Sequence, residues 1–572
     1  MSSRPSRSWK SSEASDLPTR KHILTWILGT LALAGVSCQP DVIEEVTVPV
    51  TAVSVHPDNL ALQEGMSYAL EATVTPADAT VPGVYWSSTD TRVVTVDENG
   101  LVTAIAPGYA DVTVTTRDGG KTARCQVNVA DPSASRWADT GAEVPAWPAY
   151  NAVSSLADFP RIDIRTDSDQ PVRSKDTYEG GTISFRDPKK MYSDVTELKD
   201  LKMQIRGRGN TTWEGQWGSK NPYRIKLEEH TKLFGMKGDK DWILLSDRLD
   251  PTMMRTAVAL RISRLVSMPW TPKFRMAEVY LNGKYAGLYY LVEQKEPDRE
   301  NKIPITVVAP GETDGGYLLE LDDKEDSDAY FWSSTFGKKI KYKDPDPKDD
   351  DAAKRMTAAQ KSFITNYFNK VERKLAAREF TGDDSYKAYV EMDSWIQNFF
   401  VQEISMNIDG NMRLSTYFAK DKDTKLFMPF VWDFDRAFGN ADYQVGDFAL
   451  PQAWPYGWFV RIRGGYPDWD TRGKKPSWYQ YMFEDPEFVD RVKELWTLYR
   501  PRLDMIPEFM DKMLEYNRLA LDHNDTKFHN NYESKIRQLR SDYLKRLEWM
   551  DKNIGDLKPQ RYNQNTGTYQ DL

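Results

Sequence analysis

Two cysteines and five histidines are all that 572 residues supply. So few thiols cannot build a disulfide framework, and the scattered histidines leave no economical histidine-based metal site or Ser-His hydrolase. Positive charge is also short. Against 76 Lys and Arg stand 85 Asp and Glu, a formal net charge of −9. General nucleic-acid binding needs a basic surface that this chain lacks. No Walker-type glycine-rich lysine loop occurs, which argues against a P-loop enzyme. The apolar run Ile23–Gly35 has 13 residues, too few to span a bilayer comfortably.

What is present is ordinary for a folded soluble protein, with 40% hydrophobic and 28% charged residues, except that aromatics reach 12% and include 18 Trp. The length implies roughly two to four domains. Arg20 and Lys21 precede the apolar run, which ends in LALAGVSC, so residues 1–37 read as an export signal. This resembles a bacterial lipoprotein signal, although Gly35 sits where an aliphatic residue is usual. The resemblance implies that Cys38 is lipidated, with residues 38–45, acidic at Asp41, Glu44 and Glu45, as a tether, and that the protein is exported and lipid-anchored to an outer membrane or cell surface. A plain secretory signal with an incidental cysteine is the alternative.

From residue 46 to 130 short alternating strands and turn signals such as Asn99-Gly100 predict a β-sandwich. The phrase VYWSSTDTRVVTVDENGLVTAIAPGYADVTV resembles a bacterial immunoglobulin-like group-two domain, with Trp86 in its core and Gly100 and Gly108 at turns. Cys125, inside the alternating stretch Ala123–Val129, is expected to be a buried thiol. Residues 131–160 read as a linker. An α+β region follows over 161–500, with strands early and helices late, then helices over 501–560 and a frayed tail over 561–572. Helices are predicted at Thr252–Leu265, Thr357–Ala377 and Tyr386–Asn407.

The segment Asn407–Gly439 places Asp409 after an apolar helical run and Asp433 after a predicted strand, Phe427–Trp432. Two carboxylates 24 residues apart across a hairpin-like segment can converge on one metal ion, the logic protein kinases use for magnesium. Upstream, Arg206 with Arg208 and Arg224 with Lys226 stand at i and i+2 on two adjacent strands. They form either a phosphate clamp or a solvated, salt-bridged face. Asp250 before Pro251 predicts a helix N-cap. Arg255 then reaches the hairpin's ligand or pairs with a nearby acid. Asn282-Gly283 predicts a tight hairpin whose second strand ends at Glu293. The aromatics between Trp454 and Phe483 form either a sugar-stacking platform or a packed cap.

The ordered blocks IRGRGNTTW, KNPYRIKL, DWILLSDRLDPTMMR, VYLNGKYAGLYYLVEQ, GGYLLELD, IKYKDPDP, NIDGNMRLSTYF and VWDFDRAFGN resemble the spore-coat protein H (CotH) kinase-like family. The resemblance implies an atypical, bilobal protein-kinase-like α+β domain that takes ATP with Mg or Mn and phosphorylates protein hydroxyls. On it, Asp409 and Asp433 are catalytic and Asp433 with Asp435 holds metal. Arg206, Arg224, Lys226 and Glu293 would serve the nucleotide. One departure stands out: the kinase asparagine five residues after the catalytic aspartate is Leu414 here, followed by Ser415, with Asn407 and Asn411 as substitutes. Two functions follow as expectations. One is an exported phosphotransferase acting on a protein acceptor. The other is a surface scaffold that binds a glycan or protein.

Overall fold

Alternating residues build two separate β assemblies, and apolar helices build the rest. The computed structural model describes residues 47–572 except 58, 63, 107, 130–152, 210–211, 215–218, 299–301, 310, 325–327, 350, 353, 411, 442–453, 462–477, 529–530 and 564–567. Cys38, Asn411 and most of the expected linker therefore lie outside the described residues.

The first assembly comprises β1 (Ala52–His56), β2 (Asn59–Leu62), β3 (Ser67–Ala69), β4 (Glu71–Thr75), β5 (Val84–Ser88), β6 (Val94–Val96), β7 (Leu101–Ala104), β8 (Gly108–Thr116) and β9 (Thr122–Val129). They form sheets ordered β2-β9-β8-β5, β3-β7-β6 and β1-β4. Cys125 is fully buried among Val112, Val127 and Leu62, and Trp86 is half-buried against that core. Gly100 has φ +81°, and a Cβ there would lie 2.9 Å from the Trp86 ring, so the turn and the tryptophan require each other.

The second assembly is a closed barrel. Its strands are β10 (Arg161–Thr166), β11 (Glu179–Arg186), β12 (Glu197–Gly207), β13 (Tyr223–Thr231), β14 (Asp239–Leu245), β15 (Phe274–Leu281) and β16 (Lys284–Glu293), ordered β10-β11-β12-β13-β14-β16-β15. Parallel pairing of Ile162 with Val279 closes the ring. Its interior is apolar, with Ile164, Ile205, Ile225, Trp242 and Leu291 all buried. Asn282 (φ +49°) and Gly283 (φ +73°) turn the β15–β16 hairpin as the sequence predicts.

Beyond the barrel run α1 (Arg255–Leu265), β17 (Tyr317–Leu321), β18 (Tyr330–Trp332), β19 (Lys339–Asp344), α2 (Ala358–Ala376), α3 (Met392–Ser405), β20 (Thr416–Lys420), α4 (Trp478–Met482), α5 (Pro486–Leu503), α6 (Ile506–Phe528) and α7 (Tyr532–Ile554). Strands β17 to β20 form a sheet ordered β18-β19-β17-β20. Helix α3 is buried nearly all round, its polar Gln397, Asn398, Gln402 and Glu403 included, so it is the axis of the helical core. Helices α5 to α7 pack on the same core. No helix among the described residues is long and apolar enough to cross a membrane.

Three local expectations change. The predicted helix Tyr386–Asn407 is a 3-10 turn at Tyr386–Ala388, then α3, because Glu391 caps the helix by accepting from the Ser394 N–H at 2.8 Å. Phe427–Trp432 is not a strand: Phe427 makes one bridge to Ala419, and the run to Trp432 is extended without a ladder. The expected tail instead pairs β21 (Gln560–Asn563) with β22 (Thr568–Asp571).

Candidate functional site

The C-terminus of α3 delivers Asp409. Met406 ends the helix in the left-handed region (φ +43°), which turns the chain sharply into Asn407, Ile408 and Asp409. Asn407 is fully buried, and its amide serves two loops at once. Its Oδ1 accepts from the Asp409 N–H at 3.2 Å, and its Nδ2 donates to the Asp433 carbonyl at 3.0 Å. Both ends of that side chain are therefore spent on backbone. It positions the two aspartates rather than standing in as a metal ligand.

Asp433 has φ +70° and Asp247 φ +42°. Left-handed backbone is uncommon for residues other than glycine and concentrates at functional sites. Both aspartates line one cleft of about 180 Å³, together with Arg208, Lys295, Glu320, Asp409, Ser415, Tyr417, Trp432 and Asp435. At ~30 Å³ per water, this is room for about six waters. The cleft lies where the barrel end meets the β17–β20 sheet and the loop after Trp432.

One wall is anionic. Burial and the neighbouring Asp250 push the Asp247 carboxyl up to about 7. Withdrawal from water, then Asp433, Asp247, Asp409 and Asp250 in turn, raise Asp435 well above the carboxylate range. Cations share the cleft. Withdrawal from water pulls Lys295 down to about 7 against the pull of Glu320. Its ammonium lies 4.4 Å from the centre of the Trp432 ring and hydrogen-bonds the Tyr417 hydroxyl, which donates to Glu320. Burial pushes Glu320 up, but Lys295 and Lys343 outweigh it and leave a net downward shift. Withdrawal from water also lowers Arg208, opposed by Asp433.

Asp250 is not in this wall. Its carboxylate is spent on the turn before α1, accepting from the N–H groups of Thr252, Met254 and Arg255 at 2.8–2.9 Å and from the Arg255 guanidinium. Arg255 thus pairs with a nearby acid, one of the two partners its sequence position allowed.

The cleft brings together Asp409, Asp433 and Asp435. It does not bring in Arg206, Arg224, Lys226 or Glu293. Inward Ile205 and Ile225 put Arg206 and Arg224, which are register partners, on the outside of the barrel. Arg206 donates to the Lys175 carbonyl, and Arg224 binds Asp241 at 2.8 Å. Lys226 and Glu293 share a separate pocket of about 560 Å³ with Asp239, Asp241 and Lys302, where Glu293 accepts from the Lys273 N–H at 2.8 Å. Arg208 reaches the cleft because β12 ends one residue earlier, at Gly207. Sequence reasoning passed over Asp247, Lys295, Glu320 and Tyr417. The one signal was Asp247 itself, three residues before Asp250; that acid is not the expected N-cap, because α1 starts only at Arg255 after Met254 and Asp250 closes the turn before it.

Whether this donor set suits a divalent cation is an electrostatic question. Among the described residues no three His, Cys, Asp or Glu side chains converge into a metal-holding group. Magnesium asks for less: one or two carboxylates, the rest coming from phosphates and water. Buried in the wall is an Asp247 carboxylate oxygen with no hydrogen-bond partner, and four carboxylates repel one another across the cleft. The C-terminal end of α3, with its negative helix dipole, adds to that field. The residues fit a cation.

Of the aromatic cluster, Trp478, Tyr479 and Phe483 are buried in the helical core, and Phe336 meets Trp478 edge-on at 5.2 Å. Their role is packing. Tyr466 and Trp469 lie outside the described residues.

A bacterial Ig-like domain (group 2) profile matches residues 49–127. An uncharacterized protein of Clostridium acetobutylicum is 46% identical over 68 residues, 12% of this chain and 17% of that protein. Lacto-N-biosidase of Bifidobacterium bifidum is 43% identical over 99 residues, 16% of this chain and 8% of that enzyme. The chain thus spans less than a fifth of the length of these relatives. Domains 5–6 of the S-layer protein SbsC align over 31% of this chain and 91% of that one at 15% identity and a TM-score of 0.13, too low to carry an argument. The family profile described as CotH kinase protein matches residues 205–570, more than half of the sequence, and the chain belongs to that family.

Proposed function

We propose that this protein is an exported phosphotransferase that moves the terminal phosphoryl group of ATP to a protein hydroxyl. The observation that carries the reading is the cleft itself, where the carboxylates of Asp247, Asp409, Asp433 and Asp435 meet the cations Arg208 and Lys295. A nucleotide triphosphate with a divalent cation has the complementary charge pattern on both sides. Asp433 and Asp435 would hold the Mg or Mn ion, which when bound neutralises phosphate charge.

Arg208 and Lys295 would take the phosphate oxygens, a role that the positions of Arg206, Arg224 and Lys226 do not favour. Asp409 would orient the acceptor hydroxyl and receive its proton as the new O–P bond forms and the bond to the nucleoside diphosphate breaks. Arg413 holds one Asp409 oxygen at 3.0 Å and so fixes the direction of the other. Asn407 keeps Asp409 and Asp433 in register. Lipid on Cys38 and the Ig-like domain as a spacer would place this chemistry at a cell surface.

The test is thermal unfolding of the full chain with ATP and Mn²⁺, beside radiolabel transfer from γ-labelled ATP to protein. Joint stabilisation and transfer support the reading. Stabilisation by a glycan or protein ligand but not by nucleotide would favour the surface scaffold.

A further inference from the structure

We infer that Asp247, on the loop after β14, is the protein ligand of a second divalent cation in this cleft, replacing the catalytic-loop asparagine that the chain lacks. The inference rests on the phosphotransfer reading and deepens it.

Four observations carry it. The position five residues after Asp409 is Leu414, buried to 7% exposure and without an oxygen to offer. Ser415, the next oxygen, is engaged: its hydroxyl donates to Asp433 Oδ2 at 3.2 Å. Asp247 lines the same cleft, is 7% exposed, and has its Oδ2 buried without a hydrogen-bond partner. An unpartnered buried carboxylate oxygen is costly, and a cation with phosphate oxygens would repay it. Finally, the loop of Asp247 is tied to the loop of Asp435. The Asn440 amide donates to the carbonyls of Leu249 at 2.8 Å and Asp435 at 2.5 Å.

The surroundings of Asp247 fit a ligand rather than a structural acid. Thr256 stands beside the carboxylate and favours its charged form. Lys220, 3% exposed, stands close enough to act on both Asp247 and Asp250, but its ammonium contacts the Met253 sulfur at 3.0 Å. Among the described residues the acid thus has an amine nearby but makes no ion pair with it. Asp433 and Asp435 would keep the first cation, and Asp247 with phosphate oxygens and water the second, within the ligand number magnesium accepts.

The experiment counts Mn²⁺ bound to the full chain with a non-hydrolysable ATP analogue, by electron paramagnetic resonance of free Mn²⁺ and by calorimetry. The wild type is expected to bind two ions per nucleotide. Asp247→Asn should bind one, with the second weakened by more than about tenfold, the least that even an outer-shell loss costs. Asp247→Ser, scored by the same count, covers the case in which the amide variant misfolds. Two ions in a folded variant, or one in the wild type, would overturn the inference while leaving phosphotransfer intact. If the wild type binds nucleotide with no Mn²⁺ at all, the phosphotransfer reading falls with it.

Discussion

Two sets of buried charge in this molecule follow opposite rules. In the helical core Glu403 and Arg546 are fully buried, and every partner is supplied. Glu403 accepts from Arg546 at 2.9 Å and from the N–H groups of Phe459 and Val460, while Arg546 also donates to the carbonyls of Glu403, Pro455 and Gly457. In the cleft, Asp247 keeps an unpartnered oxygen and Asp435 is crowded by like charges. Saturated charge is architecture; unsaturated charge of one sign facing the other sign is room left for a ligand. The Glu403–Arg546 pair also serves the cleft at a distance, since it locks the last turn of α3, from which Asp409 emerges.

Breaking the saturated pair should have the largest effect. Arg546→Ala leaves the Glu403 carboxylate buried without its cation, and a loss of about 3–5 kcal/mol is expected from denaturant unfolding. Nucleotide binding should fall only in proportion to the unfolded fraction. Unchanged stability would erase the contrast.

The unsaturated set should respond with the opposite sign. Asp247→Asn in EDTA is expected to stabilise the protein at pH 8 by about 1–2 kcal/mol, because it removes a like charge that the fold holds against its preference. The pH dependence follows from the upward shift of Asp247 from 3.8 to about 7. Between these values the folded chain holds a proton that the unfolded chain has released, so stability falls as pH rises from about 4 to 7. In the variant that fall should shrink. A variant less stable than wild type throughout would mean that Asp247 is structural.

The smallest effect sharpens the contrast from outside. Arg206→Ala and Lys226→Ala remove cations from the outer barrel face, and ATP affinity is expected to change by less than about threefold, within the range of surface ion pairs. Arg208→Ala should weaken it by more than about tenfold, as loss of a charge-assisted phosphate contact does.

That difference marks how far the sequence could be read. The Asn282-Gly283 turn is a local feature and forms as the sequence predicts, and Asp409 and Asp433 line one cleft. Strand alternation also put Arg224 and Lys226 on one face, as the barrel does. It could not say which face meets the cleft, because ring closure and the end of β12 decide that. Arg206 therefore faces outward and Arg208 reaches the cleft, two residues away. Lys295, Glu320 and Tyr417 come from three separate segments: the β17–β20 register pairs Glu320 with Tyr417, and Lys295 joins them from beyond the end of β16. No spacing rule in one sequence encodes that meeting.

The central claim is that a cation and a triphosphate complete the crowded acids of the cleft. It is tested most directly by calorimetric titration of ATP with Mn²⁺ into wild type, Asp433→Asn and Asp409→Asn, each also assayed for phosphoryl transfer. Asp433→Asn should lose metal-dependent nucleotide binding, because an amide cannot supply the charge of the bridging carboxylate. Asp409→Asn should bind within about threefold of wild type and lose transfer, because an acid that serves the acceptor hydroxyl leaves the nucleotide alone. Nucleotide binding by Asp433→Asn equal to that of the wild type would contradict the account.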